Sequence, residues 1–556
     1  MANVLLSRSI NPKQVNMSEY IYPKGWDTEN EIGLIEWHCG WGKTYVAVST
    51  TANSILSRVN SELGLSIKPY EVLFLASRRL IKEQTLNNYD SLLEVSCTDE
   101  LADSGWIEEP DSIRIATYHK IGDDIQSGKP FPSNVKLVIC DEFHSLFADT
   151  FASQMFAVKK WLSETPIIRI GLTATPQLLE YLNGSRHWTQ EACGEQFGFK
   201  FRNIAARTEP RFTFEQFGVI GSSMSIETAF RLLRGTEEAK SIFFTFSSKS
   251  AGNLAASNDD CLLFVSEGNN KLDKFGNRIA SSMNWDKNQE LINSGKIPSG
   301  YNNVLATSCF REGVDLKDSS VSNIVIQSFL PHEIIQSLGR FRNDAQRVYI
   351  VASRASFEIA NKECLSAFEF LENYLASHNE ALLAEQYSRQ LEAQEQGGCQ
   401  WFVNKYRGKY EIDYSVFAYW LYVYDSWYAA TNYLGADIAF CGKKLTTRKE
   451  FYKEMFNDYT DNPIEYIPWD KTKTRLALYN ERQRALDSVV EPYLNKKLFS
   501  DSPEREELVS SVGAIDEYGK HRKWTTVKKW LKDKGYEIEE GREKSKRYSI
   551  IRASLQ

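Results

Sequence analysis

The chain has 556 residues, with 66 lysines and arginines against 73 aspartates and glutamates and a net charge of −7. Hydrophobic residues make up 42% and charged residues 25%, which is ordinary globular usage and excludes a collagen-like, low-complexity or largely disordered chain. The length predicts three or four domains with room for buried cores. The acidic total taken alone argues against a nucleic-acid partner.

Up to about residue 355, short apolar runs alternate with helix-length stretches, which is typical of βαβ units around parallel sheets. The predicted strands are Leu34–Trp37, Val72–Ala76, Ile113–Ala116, Leu137–Cys140, Ile168–Leu172, Ser241–Thr245, Asn303–Ala306, Ser322–Gln327 and Arg347–Val351. The sequence therefore predicts an α/β fold with two parallel-sheet domains, for which we expect boundaries of 1–205 and 206–355.

The rest of the chain changes character. Residues 356–500 are predicted to form a helical accessory region, which is rich in Tyr and Trp after residue 400. A last module, 501–556, begins at Ser502-Pro503, a helix N-cap followed by proline at the first helical position. It continues with a basic helix over 525–534 and a hairpin of strands 536–540 and 547–551.

The charge is unevenly distributed. Residues 518–556 contain 12 lysines and arginines and five acids, a local net charge of +7, so the other 517 residues carry −14. A nucleic-acid partner requires only a localised track of positive charge, so the acidic total does not exclude one.

The bulk features also exclude several sites and locations. The nine cysteines are widely spaced, odd in number and without a C-x-x-C pair, which argues against a disulfide framework, zinc or an iron–sulfur cluster. No signal peptide is apparent, and the most apolar run, Val416–Tyr424, is shorter than the ~20 residues that span a bilayer. We expect a cytoplasmic protein without a membrane partner.

The strongest motif is Gly40-Trp41-Gly42-Lys43-Thr44, which follows a short apolar strand and opens a helix. Glycines let the backbone present its N–H groups to a polyphosphate, and the helix N-terminus favours negative charge. Lys43 is expected to reach the β- and γ-phosphates, and the Thr44 hydroxyl to bind Mg²⁺. The strict pattern requires glycine at position 37, where Trp37 stands.

A second motif follows strand Leu137–Cys140, which runs into Asp141-Glu142-Phe143-His144. An acidic pair at the carboxyl end of a buried parallel strand lies where ligands bind in open α/β sheets. Asp141 is expected to hold Mg²⁺, and Glu142 to orient or deprotonate an attacking water.

These motifs, followed by Gly171-Leu172-Thr173-Ala174-Thr175-Pro176, resemble those of the superfamily 2 DExH-box helicases. The further motifs of that family correspond in order to Ala76–Leu80 (Ia), Ala116–His119 (Ib), Phe243–Ser248 (IV), Thr307–Leu316 (V) and Gln336–Arg342 (VI). The resemblance covers roughly residues 30–355.

The resemblance implies two RecA-like domains that close on ATP and Mg²⁺. It places Gly40, Gly42, Lys43, Thr44 and Asp315 among the nucleotide-binding residues. It gives catalytic roles to five residues of motifs II and VI: Asp141, Glu142, Gln336, Arg340 and Arg342. His144, Thr173 and Thr175 are expected to couple closure to the nucleic acid.

Two departures from the family pattern stand out. The second arginine of motif VI comes one residue early, in the QxxGRxR form that resembles viral origin-binding and phage-type helicases, so either Arg340 or Arg342 can be the arginine finger. The adenine-reading glutamine motif expected upstream of motif I is not apparent.

Nucleic-acid contacts are implied at both ends of the chain. Family analogy suggests Arg78, Thr117, Ser247 and Thr307 as phosphate contacts, which position a strand without reading its sequence. The tail resembles a small winged-helix domain, a module that inserts a helix into a groove. Its expected contacts are Lys528, Lys529, Lys532, Arg542 and Lys544.

The predicted function is an ATP-dependent DNA helicase or translocase in viral, phage or plasmid replication or recombination. Its expected partners are single-stranded or forked DNA and replication proteins, and its expected location is the host cytoplasm if a virus or phage encodes it. Three alternatives stay open: a duplex-DNA translocase that does not separate strands, an RNA helicase, and a non-enzymatic DNA-binding recruiter with a degenerate ATPase core.

Overall fold

The structure is a computed structural model. It describes residues 5–12, 14–90, 92–94, 111–129, 134–184, 187–198, 200–220, 225–266, 269–307, 310, 314–352, 354–396, 400–431, 438–440, 443–445, 447–456, 459–460, 489–515, 523–533, 536–543 and 546–553. Contacts divide the chain into two compact units, residues 1–467 and 468–556.

The first domain is built on a seven-stranded sheet in which every neighbouring pair is parallel, with strand order β4-β5-β3-β6-β7-β2-β8. The strands up to the end of this domain are β1 (Leu5–Leu6), β2 (Ile32–Glu36), β3 (Val72–Ala76), β4 (Leu92–Glu94), β5 (Ile113–Thr117), β6 (Leu137–Cys140), β7 (Ile168–Thr173), β8 (Phe201–Asn203) and β9 (Arg207–Thr208). The short strands β1 and β9 pair with each other. The central strands are apolar because helices cover both faces of the sheet.

The second domain has a six-stranded parallel sheet with strand order β10-β15-β14-β11-β13-β12. Its strands are β10 (Phe214–Ile220), β11 (Lys240–Phe244), β12 (Cys261–Phe264), β13 (Asn303–Ala306), β14 (Val321–Ile326) and β15 (Ala345–Val351). Two parallel sheets of this kind confirm the predicted α/β fold class and are consistent with two RecA-like domains.

Helices connect these strands. The helices are α1 (Lys43–Val48), α2 (Ile55–Leu63), α3 (Arg79–Asn88), α4 (Tyr118–Gln126), α5 (Ser145–Ala148), α6 (Gln154–Glu164), α7 (Gln177–Gly184), α8 (His187–Phe197), α9 (Ile226–Leu233), α10 (Ser248–Ala255), α11 (Trp285–Ser294) and α12 (Pro331–Leu338). The first eight belong to the first domain and the last four to the second.

The described part of the accessory region is mostly helical, as its sequence indicates. It comprises α13 (Arg354–Ser377), α14 (Glu380–Gln396), the hairpin β16 (Val403–Tyr406) and β17 (Lys409–Ile412), α15 (Tyr414–Thr431), the hairpin β18 (Ile438–Phe440) and β19 (Lys443–Leu445), and α16 (Arg448–Phe456). Within the described part of the chain, no helix is both long and apolar enough to cross a membrane.

The C-terminal unit contains β20 (Leu498–Phe499), α17 (Pro503–Ile515), α18 (Trp524–Asp533) and the antiparallel strands β21 (Tyr536–Glu543) and β22 (Lys546–Ala553). Helix α17 begins at Pro503, and the Ser502 hydroxyl accepts a hydrogen bond from the Arg505 N–H at 3.3 Å, as the N-cap pattern predicts. The hairpin differs from the prediction, since its strands continue through residues 541–543, which were expected to form the turn.

All nine predicted strands of the two sheets are present, with ends that shift by at most two residues. The four strands that the sequence did not reveal, β4, β8, β10 and β12, are the edge strands of the two sheets. Edge strands tend to be short, and β4 and β8, with three residues each, are too short to give a clear pattern.

A buried ion pair joins the accessory region to the first domain. The Lys159 ammonium on α6 lies 2.7 Å from a carboxylate oxygen of Asp413 and 2.7 Å from the Ser415 hydroxyl, and both charged side chains are 3% exposed. A buried charge is costly unless it is paired, so each partner depends on the other.

We predict that Lys159→Met destabilises the protein by about 3–5 kcal/mol, because it leaves the Asp413 carboxylate buried without its cation. Lys159→Met/Asp413→Leu should recover most of the loss, which differential scanning calorimetry can measure. As a control, Arg389→Met, at the exposed Arg389–Glu385 pair on α14, should change stability by less than about 0.5 kcal/mol. A double variant no more stable than Lys159→Met would contradict the prediction.

Candidate active site

Three sheet strands bring the predicted motifs to one place. Strands β2, β7 and β6 are neighbours in the first sheet, and parallel strands end at the same edge. The glycine loop follows β2, Asp141 follows β6, and Thr173 ends β7. The glycine loop, the acidic pair and Thr173 therefore lie together at this edge of the sheet.

The glycine loop has the backbone that a phosphate site requires. Gly40 and Gly42 have φ of 84° and 78°, in the left-handed region that favours glycine. Gly42 caps α1, and no heavy atom lies within 4 Å of where its Cβ would be. The buried Lys43 ammonium donates to the carbonyl oxygens of Trp37 at 2.6 Å and His38 at 3.4 Å, and Thr44 is half-buried. These groups form an open loop with a cation beside it.

Trp37 departs from the strict pattern for a structural reason. Its side chain is fully buried, and its indole N–H donates to the carbonyl oxygen of Ala206 at 2.9 Å. The Trp41 indole makes a similar bond to the Glu209 carbonyl at 2.7 Å. Both tryptophans tie the loop to the segment that leaves the first domain.

The acidic pair is buried and its backbone is unusual. Asp141 and Glu142 are 5% and 7% exposed, and Glu142 has φ of 45°, which is rare for a residue with a side chain. Such backbone persists where the surrounding structure enforces it, often at functional sites. The Tyr118 hydroxyl donates to the Asp141 carbonyl oxygen at 2.7 Å and helps to hold this turn.

The electrostatics of the pair favour a bound cation. Burial, and then the neighbouring Glu142 carboxylate, raise the pKa of Asp141 to about 7, although Lys43 and Arg340 oppose the rise. The Oε2 atom of Glu142 is buried and has no hydrogen-bond partner among the described residues. With the open glycine loop, this donor set fits a polyphosphate with a divalent cation.

The second domain contributes the rest of the site through α12. The Gln336 side-chain amide, on this helix, lies 2.6 Å from Nε2 of His144. Nδ1 of His144 is 3.1 Å from the hydroxyls of both Thr173 and Thr175. These contacts join the two domains through a buried network.

The two arginines of motif VI occupy different positions. The Arg340 guanidinium lies 3.8 Å from Oε1 of Glu142, whereas Arg342 donates to the Gly339 carbonyl at 2.6 Å and to the Asp315 carboxylate at 2.5 Å. Asp315, predicted to bind nucleotide, is about half exposed and pairs with Arg342 of its own domain. Arg340 is therefore the arginine that faces the acidic pair.

The predicted phosphate contacts lie at or just beyond the carboxyl ends of β3, β5, β11 and β13. Thr117 and Ser247 accept N-cap hydrogen bonds at the starts of α4 and α10, at 3.2 Å and 3.1 Å. Arg78 pairs with Asp149 at 2.9 Å, and Thr307 is 9% exposed. In this structure the hydroxyls of Thr117 and Ser247 therefore cap helices.

The predicted contacts in the tail are only partly described. The Lys528 ammonium pairs with Glu540 of β21 at 2.8 Å, whereas Lys532 and Arg542 are exposed. Lys544 and the Lys529 side chain lie outside the described residues. Arg542 stands directly opposite Arg547 in the hairpin, and like charges in this position repel each other unless an anion binds.

The sequence did not point to Arg211. Its guanidinium lies 5.1 Å from the centre of the Trp41 ring and donates to the carbonyl oxygens of Arg8 and Ile10. Its Cγ is 3.3 Å from where a Cβ on Gly40 would be. No sequence pattern marks an arginine between two domains, so only the folded chain reveals that it packs on the loop.

Comparison with known proteins gives a partial match. Residues 7–178 match the family model described as the type III restriction enzyme, res subunit, a helicase-type domain. No curated protein matches the chain significantly.

Solved helicase structures are similar at low identity. They include Mycobacterium smegmatis helicase Lhr bound to ssDNA and AMP-PNP (17% identity, 59% of this chain and 44% of that chain, TM-score 0.35). Saccharomyces cerevisiae Dbp5 bound to RNA and ADP BeF3 (14%, 62% and 85%, 0.38) and the DEAD-box helicase Mss116 bound to ssRNA and UDP-BeF (13%, 91% and 86%, 0.38) also match. The chain thus spans less than half the length of Lhr.

The close approach of the two domains at the cleft depends on Gly339, at the end of α12. Its φ is −63°, which any residue adopts, but a Cβ there would lie 2.4 Å from Sγ of Cys39 in the glycine loop. We predict that Gly339→Ala holds the cleft open and lowers ATP turnover at least tenfold, because Arg340 retreats from Glu142. Cys39→Ala/Gly339→Ala, which removes the clashing sulfur, should recover part of the rate in a steady-state ATPase assay. Wild-type turnover by Gly339→Ala would contradict this prediction.

Proposed function

We propose that the protein is a nucleic-acid-stimulated ATPase that moves along and unwinds DNA. The observation that carries this proposal is the convergence of Lys43, Asp141, Glu142 and Arg340, from two parallel-sheet domains, on one cleft. The partial match of residues 7–178 to a helicase-type family model supports it.

Each residue of the site has its own role in the proposed ATP hydrolysis. The glycine loop and Lys43 hold the polyphosphate, while Thr44 and Asp141 hold Mg²⁺, which neutralises phosphate charge when bound. Glu142 orients the attacking water and accepts its proton. Arg340 acts as the arginine finger, since its guanidinium faces Glu142. Arg342 instead binds the Gly339 carbonyl and the Asp315 carboxylate of its own domain.

Coupling of hydrolysis to movement runs through the buried network. If the Gln336 amide donates to Nε2 of His144, the proton of the neutral ring sits on Nδ1 and is donated to Thr173 or Thr175. Separation of the domains breaks the bond to Gln336 and frees the threonine segment. Nucleotide-dependent closure thereby moves the second domain against the first.

Nucleic acid is proposed to cross the sheet ends near Arg78, Thr117, Ser247 and Thr307. The tail is proposed to act as a winged-helix-like module that contacts phosphates through α18 and its hairpin. The exposed cross-strand pair of Arg542 and Arg547 favours an anionic partner there. The QxxGRxR form of motif VI supports a DExH-box motor of viral, phage or plasmid replication or recombination.

We predict that the wild-type protein hydrolyses ATP only slowly alone, and that single-stranded or forked DNA stimulates it at least tenfold. Glu142→Gln should abolish this turnover while ATP binding survives, because the carboxylate that prepares the water is lost. A coupled ATPase assay and equilibrium binding of a fluorescent ATP analogue test both. An active Glu142→Gln protein would refute the assignment.

The same assay separates the alternatives when it is run with single-stranded, duplex and forked DNA and with RNA, each with and without residues 502–556. Stimulation by duplex without strand displacement indicates a duplex translocase, and preference for RNA indicates an RNA helicase. No turnover with any ligand indicates a recruiter. Loss of DNA binding on removal of 502–556 would assign the DNA preference to the tail.

Arg340 and Arg342 of motif VI provide a matched pair of variants. We predict that Arg340→Ala lowers kcat by about 10³-fold or more, as the loss of an arginine finger does. Arg342→Ala should have a much smaller effect, because its guanidinium binds Asp315 and backbone carbonyls. Single-turnover ATP hydrolysis measures both rates, and an inverted order would assign the finger to Arg342.

A further inference from the structure

The accessory region reaches the ATP cleft through α15, which is fixed to the first domain. At its start, Asp413 forms the buried pair with Lys159, and the Tyr414 N–H donates to the Gln196 side chain at 3.1 Å. Further along, the Tyr181 hydroxyl of α7 donates to the Asp425 carboxylate at 2.6 Å. Helix α15 therefore moves with the first domain.

On its other side, α15 contacts the second domain. Tyr422 is fully buried, and its hydroxyl accepts the backbone N–H of His332 at 3.4 Å and lies 3.2 Å from Nδ1 of the same residue. His332 is in the first turn of α12, four residues before Gln336. Residues four apart share one face of a helix, so α12 presents both side chains to the first domain and its bound helix.

The two contacts are adjacent in space. The rings of His332 and His144 have centroids 6.0 Å apart, and His144 is the partner of Gln336. All four side chains in this row, Tyr422, His332, His144 and Gln336, are at most 5% exposed. The Tyr422–His332 bonds thus form a second link between the domains, one helical turn from the link inside the active site.

A separate part of the accessory region spans the cleft at the glycine loop. The Tyr459 carbonyl accepts the Phe214 N–H of β10 at 3.4 Å, and the two rings stack with centroids 6.3 Å apart. The Tyr459 ring also meets His38 edge-on at 5.9 Å. The carbonyl of His38 is one of the two that accept from Lys43. Accessory residues thus bridge the domains at both motif II and motif I.

We propose that Tyr422 is a positioning residue: by holding His332 it keeps α12 seated on the first domain, so that the accessory region helps to set the population of the closed cleft. The inference rests on the proposed ATPase function. Closure with ATP then requires less of the binding energy of the nucleotide, since Gln336 and Arg340 are already in place. A ligand acts on such an equilibrium only through its different affinity for the two states.

The test is Tyr422→Phe, which retains the buried ring and removes the hydroxyl. With saturating oligo-dT, we expect the KM for ATP to rise about three- to tenfold, the effect of losing one or two neutral hydrogen bonds, while kcat at saturating ATP stays within about twofold. Tyr428→Phe is the matched control, because Tyr428 is an exposed tyrosine on the same helix. His332→Phe removes the other partner of the Tyr422 hydroxyl and should raise the KM for ATP to a similar extent.

A second readout does not need catalysis. Fluorescence energy transfer between dyes attached through unnatural amino acids at exposed Lys24 and Asp259, in the two domains, reports closure. Without nucleotide, Tyr422→Phe and His332→Phe should lower the closed-to-open ratio about three- to tenfold, and AMP-PNP should restore it.

The outcomes are distinguishable. Unchanged KM and unchanged closure in both variants would overturn the proposal. A lower thermal midpoint and a lower kcat, with KM and closure unchanged, would also overturn it, because that result is a purely structural effect. If the wild-type protein hydrolyses no ATP with any nucleic acid, the proposed function fails. The energy-transfer measurement still decides the inference in that case.

Discussion

Two adjacent carboxylates buried at the end of one strand are the constraint on which the rest of this molecule depends. Asp141 and Glu142 are buried, and burial of one negative charge beside another is costly. Positive groups offset that cost from two sides, with Lys43 on the first domain and Arg340 on the second. The pair therefore draws charged groups of both domains to one cleft.

The packing around the cleft lets the two domains approach each other closely. Gly339 lets the end of α12 meet Cys39 without a side chain between them. Gln336 then reaches His144, and Arg340 reaches Glu142, across the same interface. Trp37 and Trp41 anchor the glycine loop to the segment that leaves the first domain, so a bulky residue replaces the expected glycine without closing the loop.

The accessory region is part of this arrangement. It reaches the first domain with a buried ion pair and the second domain with an aromatic cluster, in which the Phe456 ring packs 4.5 Å from that of Phe217. It thus restricts the relative motion of two domains whose motion is the proposed mechanism. Its aromatic composition has a structural explanation here, because many of these rings fill the space between elements.

Much of the architecture could be predicted from local patterns. Buried parallel strands are continuous apolar runs, so their places were evident, and the motifs at their ends predicted which residues meet. The edge strands β4, β8, β10 and β12 were not evident, and β4 and β8 have only three residues each, which is too short for a clear pattern. The long helical stretch after residue 355 divides into α13 and α14 at residues 378–379, a break without glycine or proline to mark it.

The sequence by itself determined the parallel α/β class, the glycine loop, the acidic pair and the uneven charge. These features depend on residues close together in the chain, whose spacing is readable. Only the tertiary structure decided that Arg340 rather than Arg342 faces Glu142, that Arg211 packs on Trp41, and that Tyr422 holds His332. Each of these contacts joins residues far apart in the sequence, and their meeting depends on how whole domains pack, which no local spacing encodes.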